Sequence, residues 1–549
     1  MTSLYRPRWP LLLALVAGVG AIIAFAYLRA DGSSSKAVPA RGGTYIEGVA
    51  GAPGSVNPLF AAFNEVDRDL SALVFAGLMR LGPGGDVQPD LAQSMKVTPD
   101  GLTYIFELRD GLLWHDGEPV TSDDVLFTVA AVQDLDFLGD PTLANLYRGV
   151  VLAATDERTV TMTLPEPFAP FPARAATVGI LPEHLLRGAG AALLSDAPFN
   201  QRPVGSGPFK LAELSSAGAL LEPFTAYHLG TPALDALELR FYRDDAALMN
   251  ALLTDAIDGA LFRPGLAADE ISFIDGDGRW LRRLLHTTAY SLVYLNPGVP
   301  GFESSQLRRA LQHGLDRDAL TEDVLAGQAL PVESPIVRDL WSSVASPDAY
   351  AYDPELTGEL LDAEQWLLTD GRRERDGVPL RFSLAASDDP TQVAVARELA
   401  RQWGELGIQV DVEVSGASRF VQGVLIPRAF QAALVSVDHG SDPDPYPLWH
   451  SSQAFGDGRN LASFSDADAD RVLENARLTS SAAARASDYR AFQEIYAGDV
   501  PAVLLYTPAY QYVVRSDVRG LAPGLLTSLS ARFAGVHRWF VTEDDDGSG

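Results

Sequence analysis

The residues best equipped for chemistry crowd into one stretch, Val437 to Asn460, reading VDHGSDPDPYPLWHSSQAFGDGRN. It sets carboxylates, histidines, hydroxyls and aromatics among turn formers. A carboxylate in a closing, partly dry cleft favours a cationic group far more than it does in bulk water. Tyr446 and Trp449 carry rings that can stack on an apolar or sugar-like ligand face. The same residue types also build Asp-Pro turns and, for Trp449, ordinary core, so both readings stand at this level.

Catalysis has less behind it. The chain holds no G-x-S-x-G elbow, H-E-x-x-H pair or P-loop, and its eight histidines are scattered. His439 and His450 share a neighbourhood, but not with the spacing of a familiar metal site. Cysteine is absent, which removes disulfides and thiolate metal sites. No catalytic residue, metal ligand or cofactor is assigned. Acidic residues number 72 against 42 Lys and Arg, a net charge of −30, so no basic field exists to neutralise the phosphates of nucleic acid. The acidity reads as a solvated, self-repelling surface.

At 549 residues the chain exceeds the size at which one core stops growing, so two or three compact lobes are expected. Arg6 and Arg8 precede an apolar run from Leu11 to Leu28. As a helix that run is about 27 Å long, close to the hydrocarbon thickness of a bilayer. It reads as a membrane segment, an anchor in preference to a signal peptide, although Ala24-Phe-Ala26 offers a small-x-small cleavage site. The body is then expected outside the cytoplasm, on a Ser/Gly-rich tether.

The elements that would position a site are clearest in two places. Thr103 to Arg109 alternates Tyr104, Phe106 and Leu108 against polar residues, the period of a half-buried strand, and Thr121-Ser-Asp-Asp124 caps a following helix. Over 378–414, alternation at Leu380, Phe382 and Leu384 gives way to helical spacing from Val393 to Leu406, then to alternation again from Ile408 to Val414. Strand, helix, strand with short connections is a βαβ unit, so the fold class is α/β with parallel sheet. Val503 to Tyr506 reads as a further buried strand.

Pro89 to Val125, PDLAQSMKVTPDGLTYIFELRDGLLWHDGEPVTSDDV, resembles a segment that recurs in the family 5 extracellular solute-binding proteins of bacterial ABC importers. That family includes dipeptide-, oligopeptide- and nickel-binding proteins. Pro203-Val-Gly-Ser-Gly-Pro-Phe209 resembles its "P-V-G-T-G-P-Y/F", and Leu307 to Arg317 its "V-R-x-A-x-x-x-A-I-D-R". The likeness runs from about Gly42 to Gly520.

The resemblance implies a periplasmic-binding-protein-like fold of type II, cluster C: two large lobes around a hinge, with a smaller lobe inserted. The expected division is 1–36 membrane segment and tether; 41–77, 203–286 and 505–541 lobe I; 78–202 inserted lobe II; 287–504 lobe III; 542–549 acidic tail. It implies a receptor that captures a peptide or peptide-like solute by hinge closure and delivers it to an ABC permease, acting as a monomer. A membrane sensor or scaffold, or a binder of an oligosaccharide or metal chelate, is the alternative. Peptide-binding members supply an aspartate for the ligand's ammonium in a "W-x-x-D-x-x-D-P-D" region. Here the corresponding place holds His439, with Asp438 one position earlier. Asp438, His439, Ser441, Tyr446 and Trp449 are therefore candidate contacts, with Tyr290, and with Asn64 and Glu65 on a loop that in the family approaches the cleft. Asn64 and Glu65 equally fit a plain helix cap.

Overall fold

A computed structural model describes residues 42–344 and 350–542. The expected membrane segment and tether at 1–36, and the tail from 543 onward, lie outside the described residues. Among the described residues, no helix is long and apolar enough to cross a membrane.

The architecture follows from one unusually long strand, Ala502–Arg515. Its first part pairs antiparallel with Ala289–Leu295, from Tyr294 against Ala502 to Ser291 against Tyr506. Its second part pairs with Trp280–His286, from His286 against Ala509 to Trp280 against Arg515. The chain therefore passes between two bodies at two adjacent places, Thr287–Thr288 and Thr507–Pro508. The Thr507 hydroxyl donates to the Ala289 carbonyl at 2.7 Å and staples the two crossings together.

Twelve strands join in this sheet. On the C-terminal side, Ala289–Leu295 continues to Ala432–Asp438, Arg381–Ser387 and Gln409–Ser415. On the other side, Ala502–Arg515 continues to Gly259–Phe262, Thr44–Ala50, Ala236–Tyr242 and the hairpin Phe209–Leu214 with Gly218–Pro223. Ala289–Leu295 is apolar at every position but Ser291 because both its faces are covered: Tyr290, Leu292 and Tyr294 enter one core, Val293 and Leu295 another.

The βαβ unit is present. Arg381–Ser387 and Gln409–Ser415 run parallel, joined by the helix Pro390–Glu405. Asp389 caps that helix by accepting from Gln392 N at 3.0 Å, and Gly407, at φ +86°, supplies the left-handed turn that a side chain would resist. A separate four-stranded sheet, Ala92–Val97, Thr103–Leu108, Thr159–Thr163 and Val151–Asp156 in that spatial order, lies in the segment between the first strand and Phe209. Its buried Tyr104, Phe106 and Leu108 are continuous with the core beneath the helix Glu65–Val74, so the inserted segment and the body that carries it share one apolar interior.

Two of the recurring segments dock on each other. His115 accepts from Gly205 N at Nδ1 (3.2 Å), and its Nε2 lies 3.1 Å from the Gly207 carbonyl. Gly205 and Gly207 press against the end of the helix Glu65–Val74, where a Cβ on Gly205 would lie 1.9 Å from the Val74 carbonyl oxygen. The small residues are required by that approach.

Candidate functional site

Between the two bodies lies a cavity of about 750 Å3. The first body contributes Leu59, Arg68, Ser71 and Phe75, and the inserted segment Asp140, Leu143 and Arg174. Asp438, His439, Ser441, Asp444, Leu448 and Arg459 face it from the C-terminal body, and the returning segment 522–534 forms the remaining wall. The turn before the first helix is held by Asp67, which accepts from Gly54 N at 2.7 Å and Ser55 N at 2.9 Å.

The three aspartates of VDHGSDPDP have separate roles. Asp442 is buried and receives Arg485 at 2.7 and 3.2 Å. Asp444, its side chain fully buried, receives Arg477 at 2.7 Å and lies 3.5 Å from Arg174 of the inserted segment. Asp438 is exposed at the cleft and forms no ion pair among the described residues; it accepts from the Thr288 hydroxyl at 2.6 Å and from Gly440 N at 2.9 Å. Its remaining acceptor capacity is open to a ligand. Three arginines on the cavity wall, Arg68, Arg80 and Arg459, also form no ion pair among the described residues. Asp140 of the inserted segment likewise forms no ion pair among the described residues, so the cleft offers two carboxylates and three guanidinium groups without one.

His439 lines the cavity but is buried, and burial holds its imidazole below the ordinary value, so the ring is neutral. Nε2 sits 2.6 Å from the Pro335 carbonyl and therefore carries the proton. Tyr290 backs this ring from the core at 5.5 Å and does not reach the cavity wall. Ser441 lies on the wall.

The other candidates sit elsewhere. Trp449 is fully buried between Tyr294 (5.9 Å) and Tyr496 (4.9 Å). The Tyr446 ring is covered by the Arg477 guanidinium at 3.8 Å and by stacked His450 at 4.0 Å, which leaves no face free. Asn64 caps the helix Glu65–Val74 through Val66 N at 2.9 Å, and Glu65 pairs with Arg263 at 2.7 Å; neither lines the cavity. Arg68, Arg174 and Arg459 escaped the sequence reading, because whether an arginine is paired or free is settled only by which chain segments meet. Among the described residues, no group of three or more His, Cys, Asp or Glu is placed to hold a metal.

The family described as bacterial extracellular solute-binding proteins, family 5 (middle), matches residues 86–458. The chain belongs to this family. As a family 5 solute-binding protein it has the multi-lobed α/β fold of periplasmic binding proteins, and the crossings at Thr287–Thr288 and Thr507–Pro508 occupy the junction between its bodies. It is similar to Protein XP55 of Streptomyces lividans, at 31% identity over 93% of this chain and 91% of the relative. It is also similar to the oligopeptide-binding protein AppA of Bacillus subtilis, at 26% identity over 90% of this chain and 91% of that protein. Among solved structures, NikZ of Campylobacter jejuni in complex with Ni(L-His) aligns at TM-score 0.65 and 25% identity, covering 90% of this chain and 99% of NikZ.

Proposed function

We propose that this solute-binding protein is the receptor of an ABC importer, capturing a peptide or peptide-like solute in the interlobe cleft and delivering it to a membrane permease. The observation that carries the reading is the free charge set of the cleft. A peptide presents an ammonium and a carboxylate separated by apolar and hydrogen-bonding groups; on this reading Asp438 takes the first, and Arg68 and Arg459, on the same cavity wall, take the second. The family membership and the oligopeptide-binding relative support the same class. Rotation about the two strand crossings would open and close the cleft, with lobe III turning against lobes I and II. The protein acts as a monomer on the extracytoplasmic face, held near its permease by the N-terminal segment, and no catalytic step is assigned to it.

Thermal unfolding of the purified protein against panels of peptides, oligosaccharides and metal chelates tests this reading. Peptides should raise the melting temperature in a concentration-dependent way. A shift confined to oligosaccharides or chelates would overturn the peptide assignment, and no shift with any class would overturn the receptor reading.

A further inference from the structure

A second cavity, of about 370 Å3, adjoins the first on the C-terminal body. We propose that it is a side pocket of the cleft, taking a large apolar side chain of the ligand, and that Arg459 at the junction holds an adjacent carboxylate. The ligand class that satisfies both is a peptide ending in a large apolar residue. This inference rests on the peptide-receptor reading above.

Most of the pocket's wall is aliphatic, with Ser436, Asp457 and Arg459 as its polar members. Val435 and Val437 come from the strand Ala432–Asp438, and Val421, Leu425 and Ile426 from the helical segment that packs over it. Leu461 contributes from the loop opposite. Val421 is 43% exposed and Ile426 52%, although each has a concave apolar neighbourhood that would bury it once filled. Such exposure is unfavourable in an empty site and becomes a source of affinity in an occupied one. The volume suits a benzyl or indole group, at the lower end of the range usual for small-molecule sites.

The walls are also fixed in place. Arg428 reaches the carbonyl of Gly458 at 3.1 Å, clasping the loop to the helical segment. Asn460, fully buried, holds the same loop through the Phe464 carbonyl at 2.8 Å and the His450 carbonyl at 3.1 Å. The pocket is therefore a built concavity rather than a gap left by a loose loop.

Two residues join this pocket to the cleft: Leu448 and Arg459 line both cavities. Arg459 is exposed and forms no ion pair among the described residues, so its guanidinium is available to a planar anion at the shared edge. A terminal carboxylate there places its own residue's side chain at the pocket mouth. Asp457 also stands on the rim, which disfavours an acidic side chain at that position.

Calorimetric titration with one peptide sequence in four forms tests the proposal: ending in Phe, ending in Ala, ending in Asp, and ending in Phe amide. The Phe acid should bind at least tenfold more tightly than the Ala acid, the Asp acid should be weakest of the acids, and amidation should remove most of the Phe advantage. Val421→Trp, which fills the pocket from an exposed position, should shrink the Phe-to-Ala ratio towards one. Arg459→Gln should abolish the difference between Phe acid and Phe amide. Binding of all four forms with equal affinity overturns the side pocket and leaves the receptor reading intact. Failure of every form to bind overturns both.

Discussion

The carboxylate of Asp438 and the hydroxyl of Thr288 lie 2.6 Å apart, which ties a free acid of the cleft to one of the two strand crossings. Thr288 is 1% exposed, so the donor of this half-buried bond is held in place by the packing around the crossing while the Asp438 carboxylate stays open to the cleft. A cation that binds Asp438 therefore acts within one hydrogen bond of the hinge.

Asp438→Asn keeps the shape of the side chain and removes its charge. Peptides with a free amino terminus should lose about 1.5–3 kcal/mol of binding, the range for a hydrogen bond to a charged group. N-acetylated peptides should lose much less. Paired titrations of the two peptide forms check this.

Across the cleft from the hinge, the Ala169 N–H donates to the Arg477 carbonyl at 2.7 Å. The Phe168 ring lies beneath both Arg477 (5.5 Å) and Arg174 (5.9 Å). The two contacts of Arg477 hold the inserted segment against the C-terminal body. Phe168→Ala should weaken that bridge by about 1 kcal/mol, the scale of a cation–π contact, and widen the distribution of interlobe distances without ligand. Because the chain has no cysteine, a pair of introduced cysteines reports that distance without background labelling.

Much of the framework was readable from residue order. Tyr104, Phe106 and Leu108 alternate in the sequence and are buried as they alternate, and the βαβ unit over 381–415 follows its periodicity. The long strand was legible only at Val503 to Tyr506. Pro508 resembles a strand end, yet it lies at the crossing, paired with Ala329, and the strand resumes beyond it. The site was harder to read. Trp449 and Asp438 stand eleven positions apart in one suggestive stretch, but core packing claims the first and leaves the second at the cleft. Asp442 and Asp444 look identical to Asp438 in sequence, and only their meeting with Arg485, Arg477 and Arg174 takes them out of contention.

Arg532 is buried between Glu47 (2.7 Å) and Asp69 (2.8 Å) and pins the last cleft wall to the first strand and helix. Tyr512 also donates to Glu47, at 3.2 Å. Arg532→Met leaves two buried carboxylates without a counter-charge and should cost about 3–5 kcal/mol in urea unfolding. Glu47→Gln should cost less, since the cluster holds two acids against one guanidinium and burial already raises the Glu47 pKa.

His115 gives a pH dependence of known sign. Burial lowers its imidazole from 6.5 to about 4, and Nδ1 already accepts from Gly205 N, so a second proton has no acceptor there. A depressed histidine contributes stability that is fully present above about 6.5 and is lost as pH falls towards about 4. The stability difference between the native protein and His115→Asn should therefore be largest at pH 7 and shrink on acidification. Urea titrations of both proteins at four or five pH values between 7 and 4 measure it.

Closure of the cleft on a peptide changes the distance between the inserted segment and the C-terminal body. With fluorophores on Asp196→Cys and Glu405→Cys, exposed positions on the inserted segment and the C-terminal body, single-molecule energy transfer reports the interlobe distance directly. Adding a saturating peptide should collect the molecules into one narrow, short-distance population, and Asp438→Asn should raise the peptide concentration needed. An interlobe distance that peptide leaves unchanged, in a protein that calorimetry shows to bind it, would contradict capture by closure.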